Sequence, residues 1–239
     1  MNWSVSMPDL HLWYIPFHSE EKSVDCLSHE ELEHGNKFKF DIHRDKFFFY
    51  RTSLRKILSL YLSVNPQEII FEYGEFGKPR VLNNVASIEF NLSHSGNLGI
   101  VGITKKLVIG VDVEILNSLD NLNAIVQQYF SKYEWKKFRI FPEQKKFIYF
   151  YRLWTCKEAY IKALGAGLSY PLDKFSIDFL PEGYPRIVEI DSKMQENISW
   201  TLQSYLLKSG LESYVIAYAL NTEQLAVSTH LMYDARTPL

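Results

Sequence analysis

Apolar positions along this chain fall into two periodicities. Over residues 43–64, Phe47, Tyr50, Leu54, Ile57, Leu58 and Tyr61 recur at steps of three and four, which predicts a helix that Asn65-Pro66 brings to an end. A long helix is also expected over 143–164, after shorter ones at about 121–129 and 132–138. Ser28-His29-Glu30-Glu31 has the form of a capping box and opens a polar helix. Strands are expected at 10–17, 68–72, 87–92, 98–103, 107–115, 175–180, 200–207 and 214–220. The glycines and proline of 73–79 read as a loop, and 93–97 as a hairpin-type connection between two strands. Helix plus strands recurs on either side of Thr104-Lys105-Lys106, so the fold class expected is α+β in two halves, residues 1–106 and 107–239.

Charge and cysteine content narrow the classes of partner. The 239 residues hold 26 Lys+Arg against 28 Asp+Glu, a net charge of −2, which argues against a general nucleic-acid binder. Cys26 and Cys156 form no CxxC pair, so neither a zinc ribbon nor a disulfide framework is expected, and a reducing cytoplasm is the simplest setting. The first ten residues carry neither a basic nor an apolar leader region, so no secretory signal is expected. The longest apolar run, 214–220, has seven residues, whereas a membrane helix needs about 20.

Familiar catalytic motifs fail on spacing. In His29-Glu30-Glu31-Leu32-Glu33-His34 the second histidine is at i+5, off the helix face that a HExxH metal site needs, and a solvated polar helix is the plainer reading. Three other segments carry more. In Gly110-Val111-Asp112-Val113-Glu114 a strand puts both carboxylates on one face with Gly110, whose missing side chain would leave room for a ligand. Such a pair suits a hard cation held by carboxylates and phosphate oxygens, or else an edge strand with one wet face. On a helix, Trp154, Glu158 and Lys162 form one stripe. A surface ion pair between Glu158 and Lys162 is the plain alternative, though a tryptophan on that stripe argues against full solvation. Finally, Phe90-Asn91-Leu92-Ser93-His94-Ser95-Gly96 offers hydroxyls and an imidazole as donors to a phosphate, or is simply a turn.

Taken together, these three segments in this order resemble the signature of the 4′-phosphopantetheinyl transferases, in the larger, monomeric type that activates surfactin-like peptide synthetases. Gly77-Lys78-Pro79 and Gly165-Ala166-Gly167-Leu168 fit the same pattern, and the resemblance spans about residues 40 to 180. It implies two similar α+β halves related by a pseudo-twofold axis, with the active site in the cleft between them. The implied reaction moves the 4′-phosphopantetheine arm of coenzyme A to a serine of an apo acyl or peptidyl carrier protein and releases 3′,5′-ADP. By that likeness Asp112, Glu114 and Glu158 bind Mg2+ together with the coenzyme A pyrophosphate, and Glu158 is also the base for the carrier serine. Lys162 neutralises or protonates the leaving phosphate, and Lys157 contacts phosphate as well. Ser93 and His94 hold the 3′-phosphate with help from Lys78, Arg51 and Lys46, and Pro79 lies near the adenine.

Local charge agrees with polyanionic partners. Residues 37–56 carry +5 and residues 132–146 carry +4, which suits a phosphorylated cofactor and an acidic carrier helix, although solvated helix faces have the same composition. Two rivals share the motifs: a magnesium-dependent phosphodiester hydrolase, and a coenzyme A or carrier-binding module without turnover. The product formed separates them.

Overall fold

In a computed structural model the protein is described over residues 10–20, 23–167, 170–179, 183–190, 199–222 and 227–232. Leu168 and Leu180, expected at the end of a motif and of a strand, lie outside the described residues, as do residues 1–9.

The chain runs β1 (Leu10–Pro16), α1 (His29–Asn36), α2 (Asp41–Leu62), β2 (Phe71–Tyr73), β3 (Pro79–Val81), β4 (Ile88–Ser95), β5 (Leu98–Lys105) and β6 (Ile109–Ile115). It continues with α3 (Leu122–Tyr129), α4 (Lys132–Phe138), α5 (Glu143–Leu164), β7 (Phe175–Phe179), β8 (Pro185–Ile190), β9 (Thr201–Ser209), β10 (Glu212–Leu220) and β11 (Val227–Met232). One sheet has the order β11-β1-β5-β4 and the other β6-β10-β9, with β2-β3 and β7-β8 as separate hairpins. Among the described strands only the β1–β11 pairing is parallel.

Sheet alternation sets the layers. Trp13, Ile15, Phe90, Val101 and Ile103 face α2, while Leu202, Val215, Ala217 and Ala219 face α5. The opposite faces, with Leu12, Tyr14, Leu98 and Ile100 from one sheet and Val111, Val113, Ile216 and Tyr218 from the other, share one core. The molecule is thus built as helix, sheet, sheet, helix, in a mixed α+β fold.

Each half repeats one plan, to which the second adds α3: a strand, a short capped helix, a 22-residue helix, a 3-10 turn, a hairpin and two more strands. The repeat extends to side chains. Glu31 closes the capping box of α1 and also accepts from Arg55 at 2.8 Å; Glu134 closes that of α4 and pairs with Lys157 at 2.8 Å. Arg55 and Lys157 both occupy the fifteenth position of their helices, and both donate to backbone carbonyls flanking the following 3-10 turn: Pro66 and Ile69 in one half, Leu172 and Phe175 in the other.

Two sequence expectations change here. The strand read as ending at residue 92 continues to Ser95, so Ser93 and His94 stand on β4 and only Gly96-Asn97 turn the chain, with Gly96 at φ 55°. The polar helix α1 is not wholly solvated, because Glu31 is buried against α2. Both cysteines are buried thiols, and among the described residues no helix is long and apolar enough to cross a membrane.

Candidate active site

The site forms where the halves meet. One edge of β6 pairs with β10, and its other edge faces β4, which meets it with side chains instead of a backbone ladder. Asn91 Oδ1 accepts from the Val111 amide at 2.8 Å, and Ser95 Oγ accepts from the Ile115 amide at 3.1 Å. Ser93 and Ser95 donate to Asp112 Oδ1 and Glu114 Oε2, each at 2.9 Å. These residues alternate along β4, so one strand face supplies all of these bonds.

Helix α5 crosses β6 at Gly110. A Cβ there would lie 2.0 Å from the Ala159 carbonyl oxygen and 2.3 Å from the Ala163 nitrogen. The space expected to receive a ligand is therefore filled by the helix backbone; Gly110 serves to bring α5 close enough for its stripe to meet the β6 carboxylates. Lys162 Nζ donates to Asp112 Oδ1 at 2.5 Å and Ser93 Oγ at 2.8 Å, not to Glu158. Glu158 and Asp112 are buried and Glu114 half-buried, and Trp154 lies near enough to Glu114 to favour its charged form.

Burial raises all three carboxyls above their ordinary range. Asp112 is held back by Lys162 and Ser93; Glu114 is raised further by Asp112, and Glu158 by Asp112 and Glu114. Asp112 Oδ2 is buried without a hydrogen-bond partner among the described residues. Repelling carboxylates with an open oxygen fit a divalent cation that would offset their charge. Among the described residues no three His, Cys, Asp or Glu side chains form a ready cage, so Asp112, Glu114 and Glu158 suit an ion that completes its shell with phosphate oxygens from a ligand, as Mg2+ does.

On the other face of β4 the His94 ring lies flat on Tyr50, 4.7 Å between centroids and 10° between planes, with its edge open to solvent. Gly99, opposite His94 on β5, makes room, since a Cβ there would be 2.5 Å from Tyr50. Burial of the ring lowers the His94 pKa, and Lys162, Lys46 and His43 lower it further. Lys46 Nζ donates to the Gly96 carbonyl at 2.6 Å. Lys78 Nζ bonds the carbonyls of Ile109 and Ala163, both at 2.9 Å, tying the β2–β3 hairpin to the C-terminal end of α5 beside Pro79. Burial brings its pKa down to about 8. Arg51 pairs with Glu31 at 3.4 Å and lines a cavity of about 450 Å³ with His34, Phe47 and Tyr73.

This chain is similar in sequence to known transferases over both halves. The profile described as 4′-phosphopantetheinyl transferase superfamily matches residues 108–219, and that described as 4′-phosphopantetheinyl transferase, N-terminal, matches residues 13–105. The 4′-phosphopantetheinyl transferase HetI of Nostoc sp. is 34% identical over 207 residues, covering 84% of each chain. The chain belongs to the Sfp-type 4′-phosphopantetheinyl transferases. Bacillus subtilis Sfp itself is 32% identical over 174 residues, covering 72% of this chain and 75% of that protein. In structure, a holo-(acyl-carrier-protein) synthase from Bacillus anthracis matches 48% of this chain and 95% of that one, at TM-score 0.39 and 18% identity.

Two residues of the transferase do not stand where they were expected: Ser93 faces Asp112 and Lys162, away from His94, because neighbours on a strand point to opposite sides, and Lys157 leaves the site altogether. Lys157 is completely buried on the far side of α5, paired with Glu134 and lying 3.8 Å from the centroid of the Phe175 ring, so it cannot reach a phosphate in the cleft. Helix geometry carried the signal: Lys157 is about 100° around α5 from the stripe of Trp154, Glu158 and Lys162. Ser95 and Tyr50 were passed over as site residues. Continuing the strand to residue 95 would have put Ser95 on the face of Ser93. The two basic stretches are also less free than their composition says: Arg51 and Arg55 pair with Glu31, Arg44 with Asp41, Lys137 with Asp178 and Lys146 with Glu143.

Proposed function

We propose that this transferase moves the 4′-phosphopantetheine arm of coenzyme A to the serine hydroxyl of an apo acyl or peptidyl carrier protein, with Mg2+, releasing 3′,5′-ADP, and that it works in the cytoplasm as a monomer. The reading is carried by one observation: buried Asp112, with an open oxygen, lies together with Glu114, Glu158 and the Lys162 ammonium.

Asp112, Glu114 and Glu158 would hold Mg2+, whose charge would neutralise the pyrophosphate under attack. Glu158 takes the serine proton; burial and two neighbouring carboxylates raise its affinity for a proton, as a base working near neutral pH requires. Lys162 has three N–H donors and uses two on Ser93 and Asp112, so one remains for the leaving phosphate. His94 and Lys46 would receive the 3′-phosphate, with Arg51 beside its own cavity, while Ser93, whose proton goes to Asp112 on the opposite face of β4, holds the Asp112–Lys162 pair, and Lys78, held on two backbone carbonyls, would set the wall for the adenine with Pro79. We take the halves as residues 1–106 and 107–239, a division supported by the two family profiles, which end and begin at residues 105 and 108.

Incubating the protein with coenzyme A, Mg2+ and apo carriers of fatty-acid, polyketide and nonribosomal peptide type, followed by intact mass measurement, tests the reading and finds the carrier served. At least one carrier should gain the phosphopantetheine mass. Glu158→Ala should slow transfer by roughly 10²–10⁴-fold, and Asp112→Ala by a comparable factor, with the circular dichroism spectrum kept. Full activity of both variants in Mg2+ would defeat the site assignment.

A further inference from the structure

We propose that Ser95 is a positioning residue that aims the Glu114 carboxylate across the seam between the halves and thereby sets the affinity for the divalent ion; this rests on reading Glu114 as an ion ligand. The direction of its hydrogen bonds is decided by chemistry. A serine hydroxyl has one proton, and the Ile115 amide can only donate to it, so the Ser95 proton goes to Glu114 Oε2. The hydroxyl is thereby held at both ends, by the backbone of the residue after Glu114 and by the Glu114 carboxylate itself.

Glu114 needs such an anchor more than Asp112 does. It is half-buried, one residue from the end of β6, and its side chain has one more rotatable bond than the short Asp112, which Lys162 and Ser93 already hold. Ser95 brings Glu114 a hydrogen-bond donor from the neighbouring strand. A carboxylate has about four lone-pair directions, and Ser95 takes one of them, which leaves the others for an ion. Ser95 stands on β4 of the first half and Glu114 on β6 of the second, so the carboxylate is aimed only while the two halves are in register.

The test uses the full chain as wild type, Ser95→Ala and Ser95→Thr. Mn2+ is titrated in the presence of coenzyme A, with free Mn2+ followed by electron paramagnetic resonance; the Mg2+ half-saturation of transfer and the thermal midpoint are measured in parallel. Ser95→Ala should bind Mn2+ about tenfold more weakly and raise the Mg2+ half-saturation by the same factor, the size expected for losing a partner of a ligand. At saturating Mg2+ its kcat and its KM for coenzyme A should match wild type, and Ser95→Thr, which keeps the hydroxyl, should restore both ion constants. Unchanged ion constants in Ser95→Ala overturn the proposal, as does weaker binding in both variants that merely follows their thermal midpoints. A wild type that takes no Mn2+ and needs no Mg2+ would bring down the reading of Glu114 as a ligand, and this proposal with it.

Discussion

At the scale of single residues, His94 shows how surroundings set a charge. Its ring lies on Tyr50 among Lys46, His43 and Lys162, so its pKa falls below the ordinary histidine value and the free protein carries it neutral at pH 7. A phosphate placed against it would raise that pKa, so binding should take up a proton. Affinity for coenzyme A should therefore strengthen as pH falls from about 8 towards 6, and calorimetry in two buffers of different ionisation enthalpy should count a fraction of a proton taken up. His94→Gln should lose that fraction. Equal uptake in both proteins would remove His94 from the phosphate site. That Ser93 and His94 face opposite ways follows from strand alternation; that Tyr50 lies beneath His94 depends on Gly99, from another strand, and was not legible locally.

Among the elements, α5 has two faces with different work. Its stripe of Trp154, Glu158 and Lys162 lies towards β6, while Lys157 points to the α4 capping box and the start of β7. Burial disfavours both charges of the Lys157–Glu134 pair, and each is offset by the other. Lys157→Met would leave the buried Glu134 without a counter-charge, and should cost roughly 3–5 kcal/mol in urea unfolding. The KM for coenzyme A should stay at the wild-type value; a marked rise would return Lys157 to the phosphate site. Helices α3, α4 and α5 were legible nearly to the residue because helical signals are local, and α4 adds the capping serine Ser131. Strands β3, β8 and β11 were not, since a short strand is defined by its partner more than by its own residues.

For the whole molecule, the halves repeat one plan but share the core between their sheets. Neither sheet can shed its partner without exposing that apolar face. Thermal or urea unfolding followed by circular dichroism and by tryptophan fluorescence should therefore give one coincident transition; two separated transitions would mean that the halves are independent. The repeat itself was invisible in the amino-acid order, where Arg55 and Lys157 share little but charge and become counterparts only once each is seen against a capping glutamate. Sequence alone determined the helices, the period-two placement of Asp112 and Glu114 on one strand face, and the ordered motifs that mark the family. Tertiary structure decided that β4 borders β6, that Gly110 admits a helix and not a ligand, and that Lys162 enters the cleft while Lys157 leaves it. The physical reason is range: periodicity and capping act within a few residues, whereas strand neighbours and the side of a helix that is buried are chosen by segments far away in the chain.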